Sequence, residues 1–359
     1  MKAIVRRGTQ LIEDDLAEPV PGEGQALVST LVCGICGSDL HALHHLDHMI
    51  ALTRRAGGME NLDPAQDVVF GHEFCAEVLD YGPGCTGALK PGTRVVSVPA
   101  AFGPAGSELV GYSNRFPGGF AERMVLQEAL LLPVPNGLDA ERAALTEPMA
   151  VGEHAVAQAP LTPQSVALVI GCGPVGLSVI AALKARGVGP VIATDFSPHR
   201  RAAAEALGAD VVLDPALHSP HDRWETLDVP ATMASFSAAQ LMGRSIRDAV
   251  VFECVGVPSM IQHLIEKCPP TSAIQIVGVC MESDTIEPSL AINKQLRLNF
   301  VFAYSPEEFA ATLHDIAEGK RDVTPLMSGT VGRSGVADAF AALSSAGGQI
   351  KVLVDPSRA

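Results

Sequence analysis

The sequence predicts an α/β protein of two domains, a doubly wound parallel sheet beside a β-barrel-like domain, and three observations carry that prediction. Length is the first: 359 residues are long for a single core. Before about Met149, short β-type runs such as ALVST, DVVFGHEFCAEVLDYG and TRVVSV alternate with turns at Pro21-Gly22, Pro83-Gly84 and Pro91-Gly92. After Pro163 the texture changes to SVALVIG, GCGPVGLSVIAALKARG and VIATD. These read as strand, glycine turn with helix, and strand, a βαβ unit that implies a parallel sheet.

The remaining elements follow from the same patterns. AVVFECVG, SAIQIVGV and LRLNFVF are further apolar strands that complete the sheet, with SAIQIVGVCM expected near its edge. Residues 214 to 245 have mixed polarity and a weak helical period, and they read as loop and helix on the sheet's surface. The stretch from His41 reads as a helix to about Arg55, stopped by Gly57-Gly58 and followed by a polar loop. On a regular helix His41, His45 and His48 would share one solvated face.

Composition excludes several classes of function. The formal charge of −15, from 25 basic and 40 acidic residues, repels phosphate backbones and anionic lipid, so no nucleic acid and no membrane partner is expected. No apolar run reaches the roughly 18 residues of a membrane span. MKAIVRRGTQLIEDD lacks the apolar segment of a secretory signal, so a cytoplasmic protein is expected. Eight irregularly spaced cysteines, several inside apolar runs, read as reduced thiols.

Two constellations carry chemistry. Gly171, Gly173 and Gly176 form GCGPVG after a strand, with Pro174 and Val175 opening the helix. The first glycine permits the turn, the second lets backbone approach a pyrophosphate, and the third lets helix pack on strand. The helix N-terminus offers N–H groups to the phosphates. Asp195, 19 residues past Gly176, can bind both adenosine ribose hydroxyls and repel a 2′-phosphate, which reads as NAD rather than NADP. Arg200 is the reservation, since it could soften that exclusion. Asp195 as a mere strand-end turn residue is the plainer alternative.

The other constellation is VCGICGSDLH, residues 32 to 41, with Gly71-His72-Glu73 and Glu147-Pro148. Cys36, His72 and a carboxylate are a soft, a borderline and a hard donor, a set suited to zinc with one position left open.

The matched stretches GICGSDLH, VVFGHEFCAEVLDYGPG, LKPGTRVV, GGFAERMVL, EPMAVGEHAV and VALVIGCGPVGL, with ECVG and VGV beyond, occur in order over most of the chain. On them the sequence resembles the zinc-dependent medium-chain dehydrogenase/reductase superfamily, the alcohol, secondary-alcohol and polyol dehydrogenases. The resemblance implies a GroES-like β-barrel catalytic domain, 1–150 completed by 303–359, and a Rossmann NAD-binding domain, 151–302. It implies one catalytic zinc on Cys36 and His72, with the third ligand at Glu147 and Glu73 beside the metal; the division between the two glutamates stays open. Ser38 would take the substrate's proton and His41 relay it outward. Asp39 would fix the His72 ring from its other nitrogen. Val255, Val277 and Val279 would line the cofactor site. Each proton-path residue also has a plainer reading, Ser38 and Asp39 as helix caps and His41 as a surface histidine. Cys33 reads as a buried thiol that binds no metal.

The sequence also departs from the family. The segment VPAAFGPAGSELVGYSNRFPGGFAERM has no cysteine, so the structural zinc of many relatives is expected to be missing. His41 and His72 are 31 positions apart, longer than the family spacing, and the insertion, Met59 to Gln66 above all, is expected at the rim of the substrate pocket. Val151 stands where some alcohol dehydrogenases place a threonine against the nicotinamide. The expected function is hydride transfer between a secondary alcohol or polyol and NAD, giving a ketone or aldehyde, in a homodimer or homotetramer. An NADPH-linked carbonyl reductase and a non-catalytic cofactor-binding protein are the alternatives.

Overall fold

All six residues of Ser165–Ile170, SVALVI, are buried, as a central parallel strand covered on both faces requires. Around this strand the computed structural model, which describes residues 1–58, 62–104, 106–345 and 348–359, builds a six-stranded parallel sheet. The spatial order is Val211–Leu213, Val191–Thr194, Ser165–Ile170, Asp248–Glu253, Ala273–Ile276 and Arg297–Phe300. The order reverses beside Ser165–Ile170, the place where doubly wound sheets bind ligands. The sheet's edges are Val211–Leu213 and Arg297–Phe300. SAIQIVGVCM, expected near the edge, supplies the strand next to Arg297–Phe300, paired on both sides.

This sheet belongs to one of two compact units, Pro148–Glu308 with Lys320–Leu326. The other unit comprises Met1–Glu147, Phe309–Gly319 and Met327–Ala359. The units divide at 147/148 and 308/309, against expected boundaries of 150 and 303. The helix Thr146–Ala157 starts in one unit and ends in the other, and Arg321 pairs with Glu153 of that helix, which groups 320–326 with the parallel sheet.

The catalytic-type unit is a seven-stranded sheet centred on the ten-residue strand Gln25–Gly34. That strand pairs antiparallel with Glu73–Tyr81, with Arg123–Gln127 and with the C-terminal Lys351–Val354. Leu353 lies opposite Gly34 and Val354 opposite Cys33, so the return of the chain closes the barrel next to the first cysteines. Val28, Phe70, Phe74, Phe120, Leu126 and Val352 fill its core.

The helix of the insertion runs Gly37–Arg55 and ends before Gly57, whose φ of +83° suits glycine. It is kinked at His45, and His41, His45 and His48 are all exposed, as a solvated histidine face requires. Leu46, Ile50 and Leu62 anchor the insertion in the barrel core. Met59, Glu60 and Asn61, part of the expected pocket rim, lie outside the described residues. Residues 214 to 245 form two short 3-10 turns and the helix Met233–Leu241, as loop and helix, but Trp224 is buried in the sheet's core cluster rather than left on its surface. The cysteine-free segment forms the hairpin of Ala100–Gly103 and Gly106–Leu109.

Candidate metal centre and dinucleotide site

The strand Gln25–Gly34 ends two residues before Cys36, which is the N-cap of the helix Gly37–Arg55. Asp39, at the third helical position, accepts the Cys36 backbone N–H at 3.0 Å. Capping and chemistry thus coexist: Cys36 takes the cap position and Asp39 reaches back to it. His72 and Glu73 sit where the chain enters Glu73–Tyr81, after Gly71 at φ +105°. A side chain at Gly71 would press within 2.9 Å of Gly119 and Phe120, so the approach that sets His72 needs glycine.

These turns bring Cys36, His72 and Glu73 together, with one donor atom of each within 4.8 Å of the others. It is the only such His/Cys/Asp/Glu group among the described residues. Thiolate, imidazole and carboxylate at this spacing fit a zinc ion. The electrostatics agree. Burial alone would lower the His72 pKa, but the charges of Asp39, Cys36 and Glu147 and a hydrogen bond to Cys36 outweigh it and raise it well above its usual value. The centre is arranged to hold positive charge. Asp39 is fully buried, and burial lifts its carboxyl pKa against the opposing pull of His72, the Cys36 N–H and Tyr112. Its Oδ1 is 3.6 Å from His72 Nδ1, a buried nitrogen without a hydrogen-bond partner among the described residues. The approach matches the expected backing of the imidazole, at a length beyond a formed hydrogen bond.

Cys33 is fully buried, and burial followed by the charges of Asp39 and Glu73 pushes its pKa well up. A thiol held neutral is a poor metal ligand. Ser38 is half-buried in the first turn of the same helix, and His41, three residues on, is exposed. Burial of its inner edge and the neighbouring His45 lower the His41 pKa. Glu147 is half-buried in the first turn of Thr146–Ala157, and its charge acts on both His72 and Lys351.

Two residues at this centre escape sequence reasoning. Lys351 is buried at 1% exposure, and its Nζ donates to Glu73 Oε1 at 2.8 Å, to Glu73 Oε2 at 2.6 Å and to the Ile35 carbonyl at 2.9 Å. Burial would lower its pKa, but the charges of Glu73 and Cys36 raise it. The only signal was a lone lysine in the apolar run IKVLV. Tyr112, also buried, has its Oη 2.9 Å from Asp39 Oδ1 and 3.1 Å from Ser38 Oγ.

In the other unit, Ser165–Ile170, the turn at Gly171 and the helix Pro174–Ala185 realise the glycine motif. Gly171 has φ +88°, and a side chain on Gly176 would overlap the Gly171 carbonyl. Around Gly173, the helix N-cap, no atom would lie within 4 Å of an added Cβ, so the turn leaves open space beside the helix start, which carries Pro174 and Val175 in its first turn. Asp195 follows directly on Val191–Thr194; its Oδ2 accepts from Cys172 N and its Oδ1 from Ser197 N, both at 2.8 Å. The carboxylate is thereby tied to the glycine turn. Arg200 is half-buried in the helix Pro198–Ala206, one turn beyond. Val255 and Val279 are exposed at 42% and 59%, free to meet a ligand, whereas the Val277 side chain is buried at 8%. Its backbone N–H bonds the Glu253 carbonyl at 2.9 Å. Glu253, which sequence reasoning passed over, braces the ECVG turn by accepting from Val255 N at 2.7 Å and Gly256 N at 2.8 Å.

Such a barrel with a Cys/His/Glu centre, joined to a parallel sheet with a phosphate-type glycine turn, defines a metal-dependent nicotinamide oxidoreductase. Comparison with known proteins makes this specific. Residues 22–136 match the alcohol dehydrogenase GroES-like domain family and residues 174–318 the zinc-binding dehydrogenase family. The chain is 31% identical over 353 residues to the (R,R)-butanediol dehydrogenase of Bacillus subtilis, covering 96% of each chain. It is also 31% identical over 285 residues to the sorbitol dehydrogenase of the same organism, covering 72% of this chain and 76% of that one. The crystal structure of 2R,3R-butanediol dehydrogenase from Bacillus subtilis superposes with a TM-score of 0.78 at 29% identity, covering 99% of both chains. The chain belongs to the zinc-dependent medium-chain dehydrogenase/reductase superfamily, as an oxidoreductase of the alcohol dehydrogenase type.

Proposed function

We propose that this protein oxidises secondary alcohols or polyols, reversibly, with one zinc ion on Cys36 and His72 and with NAD as the hydride acceptor. The observation that carries the reading is the Cys36, His72 and Glu73 group, backed by buried Asp39 and drawn together from two segments of the barrel. When bound, the metal supplies Lewis acidity that brings loss of the alcohol proton towards neutral pH, and the nicotinamide supplies the hydride acceptor.

The chain's own residues do the rest. Cys36 and His72 give the soft and borderline donors. The third ligand would be Glu147, as the resemblance implies, with Lys351 holding Glu73 beside the metal; of the two glutamates it is Glu73 that has a donor atom within 4.8 Å of those of Cys36 and His72. Ser38 receives the substrate proton and His41, with a pKa below its usual value, passes it to solvent. Gly171, Gly173 and Gly176 admit the pyrophosphate, Val255 and Val279 border the cofactor, and the anchored Asp195 carboxylate favours a ribose with free hydroxyls over a 2′-phosphate. Relatives that act on butanediol and sorbitol support a substrate with a secondary hydroxyl. The edge strand Arg297–Phe300, with Phe300 and Phe302 at 70% and 86% exposure, supports pairing of two copies across a two-fold axis.

The test is a screen of secondary alcohols, diols and polyols with NAD and NADP at equal concentration, run with metal analysis. About one zinc per chain and turnover with NAD are expected. Turnover confined to NADP would replace this reading by the carbonyl reductase alternative. No turnover with any alcohol or carbonyl would leave the non-catalytic one.

A further inference from the structure

We infer that Tyr112 is a positioning residue of the metal centre, one phenol that holds both the acid behind the His72 ligand and the serine on the proton path. The inference rests on the reading that Cys36 and His72 hold the metal and that Ser38 takes the proton. It adds a role for the segment in which relatives keep their structural-zinc cysteines.

The hairpin of that segment ends at Leu109, and the chain then turns through Gly111 at φ +89°, where an added Cβ would lie 3.0 Å from the Gly71 carbonyl oxygen. The turn is therefore packed on the backbone that carries His72. Tyr112 N bonds the Leu109 carbonyl at 3.0 Å, and the ring passes inward to lie 5.6 Å from Phe70 and 5.5 Å from the His72 imidazole, centroid to centroid. At 4% exposure its hydroxyl has no bulk water to bond.

Counting protons assigns the bonds. A phenol has one O–H, and two oxygens lie in range, Asp39 Oδ1 at 2.9 Å and Ser38 Oγ at 3.1 Å. The carboxylate is the stronger acceptor and the nearer, so the phenol donates to Asp39. A lone pair of Tyr112 Oη then accepts the Ser38 O–H. Ser38 is thereby held in place at rest with its O–H on Tyr112 and its lone pairs free; as it takes a proton from a substrate hydroxyl, its own O–H turns from Tyr112 and releases its proton towards His41, so each oxygen ends with one proton. Asp39 Oδ1, the same oxygen that faces His72 Nδ1 at 3.6 Å, is fixed from a second side and kept from turning away from the imidazole.

Tyr112→Phe keeps the ring and removes the hydroxyl alone. In the full chain, zinc affinity, measured by competition with a chromophoric chelator, is expected to fall about tenfold or more, as for loss of a group supporting a metal ligand. The kcat for alcohol oxidation is expected to fall by a similar factor while the alcohol KM changes less than about threefold, since the hydroxyl does not touch the substrate. A second measurement needs neither metal nor activity. With 3-fluorotyrosine in place of the three tyrosines of the chain, the 19F resonance of Tyr112 in the metal-free protein should move in Ser38→Ala while those of Tyr81 and Tyr304 stay. Parent-like zinc affinity in Tyr112→Phe, or a Tyr112 resonance that Ser38→Ala leaves in place, overturns the inference; the resonance decides alone if Tyr112→Phe does not fold. Cys36→Ser separates the two levels: if it loses zinc while Tyr112→Phe does not, only the role of Tyr112 fails, and if it retains zinc the ligand assignment itself fails.

Discussion

Replacing Lys351 by methionine would remove a buried cation while keeping the volume of its stem. Its Nζ lies 2.6 to 2.8 Å from the two Glu73 oxygens, and both side chains are 1% exposed. At about 2.7 Å and an effective dielectric constant near 20, the gross attraction is about 6 kcal/mol. Desolvation of both ions offsets part of it, and removing one partner of such a pair costs about 3–5 kcal/mol because the other charge is left buried. For a chain of this size the melting temperature should drop by about 2 °C or more per kcal/mol, hence about 6–10 °C in all. The assay is calorimetry of the metal-free protein, so that metal binding does not contribute. The deficit should also depend on pH. A buried carboxyl without its partner is costly only while charged, so the penalty is smaller at low pH and larger at high pH. The loss at pH 8 should therefore exceed the loss at pH 5, and Glu73→Gln in the Lys351→Met background should recover much of it. A melting temperature within about 1 °C of the parent at both pH values would refute the reasoning, since a buried charge cannot lose its partner at no cost.

Three further outcomes follow from the same geometry. Asp195→Ser should raise the KM for NAD and lower the preference for NAD over NADP at least tenfold, measured as the ratio of kcat/KM values; an unchanged ratio would mean that Asp195 does not meet the ribose. Gly173→Ala should fold and melt like the parent, because open space surrounds the site, yet bind dinucleotide more weakly by fluorescence titration. Gly176→Ala should lower the melting temperature whether or not cofactor is present, because its methyl would overlap the Gly171 carbonyl.

What the sequence made legible was local. SVALVI and GCGPVG announce themselves by apolar continuity and glycine spacing, and the strand, turn and helix stand where that pattern places them. Cys36, Asp39 and His72 were readable because their motifs are short and specific, and the chain brings them together. Long-range partnership was not legible. Lys351 meets Glu73 across 278 positions, and Tyr112 meets Asp39 across 73, with nothing in either segment to mark the pairing. The kink at His45 was not legible either, because regular periodicity assumes a straight helix. SAIQIVGVCM stands near the sheet edge as expected, one strand in, but the run alone does not show that Arg297–Phe300 takes the edge itself. The different depths of Val277 (8% exposed) and of Val255 and Val279 were likewise not legible from the motif.

The most direct test of the account compares the parent protein with Cys36→Ser for bound zinc and for NAD reduction with a secondary diol. About one zinc per chain and steady turnover are expected of the parent, with zinc largely lost and turnover abolished in the variant. A Cys36→Ser protein that keeps its zinc, or that oxidises the diol at the parental rate without metal, would contradict the central claim that this centre holds the catalytic metal.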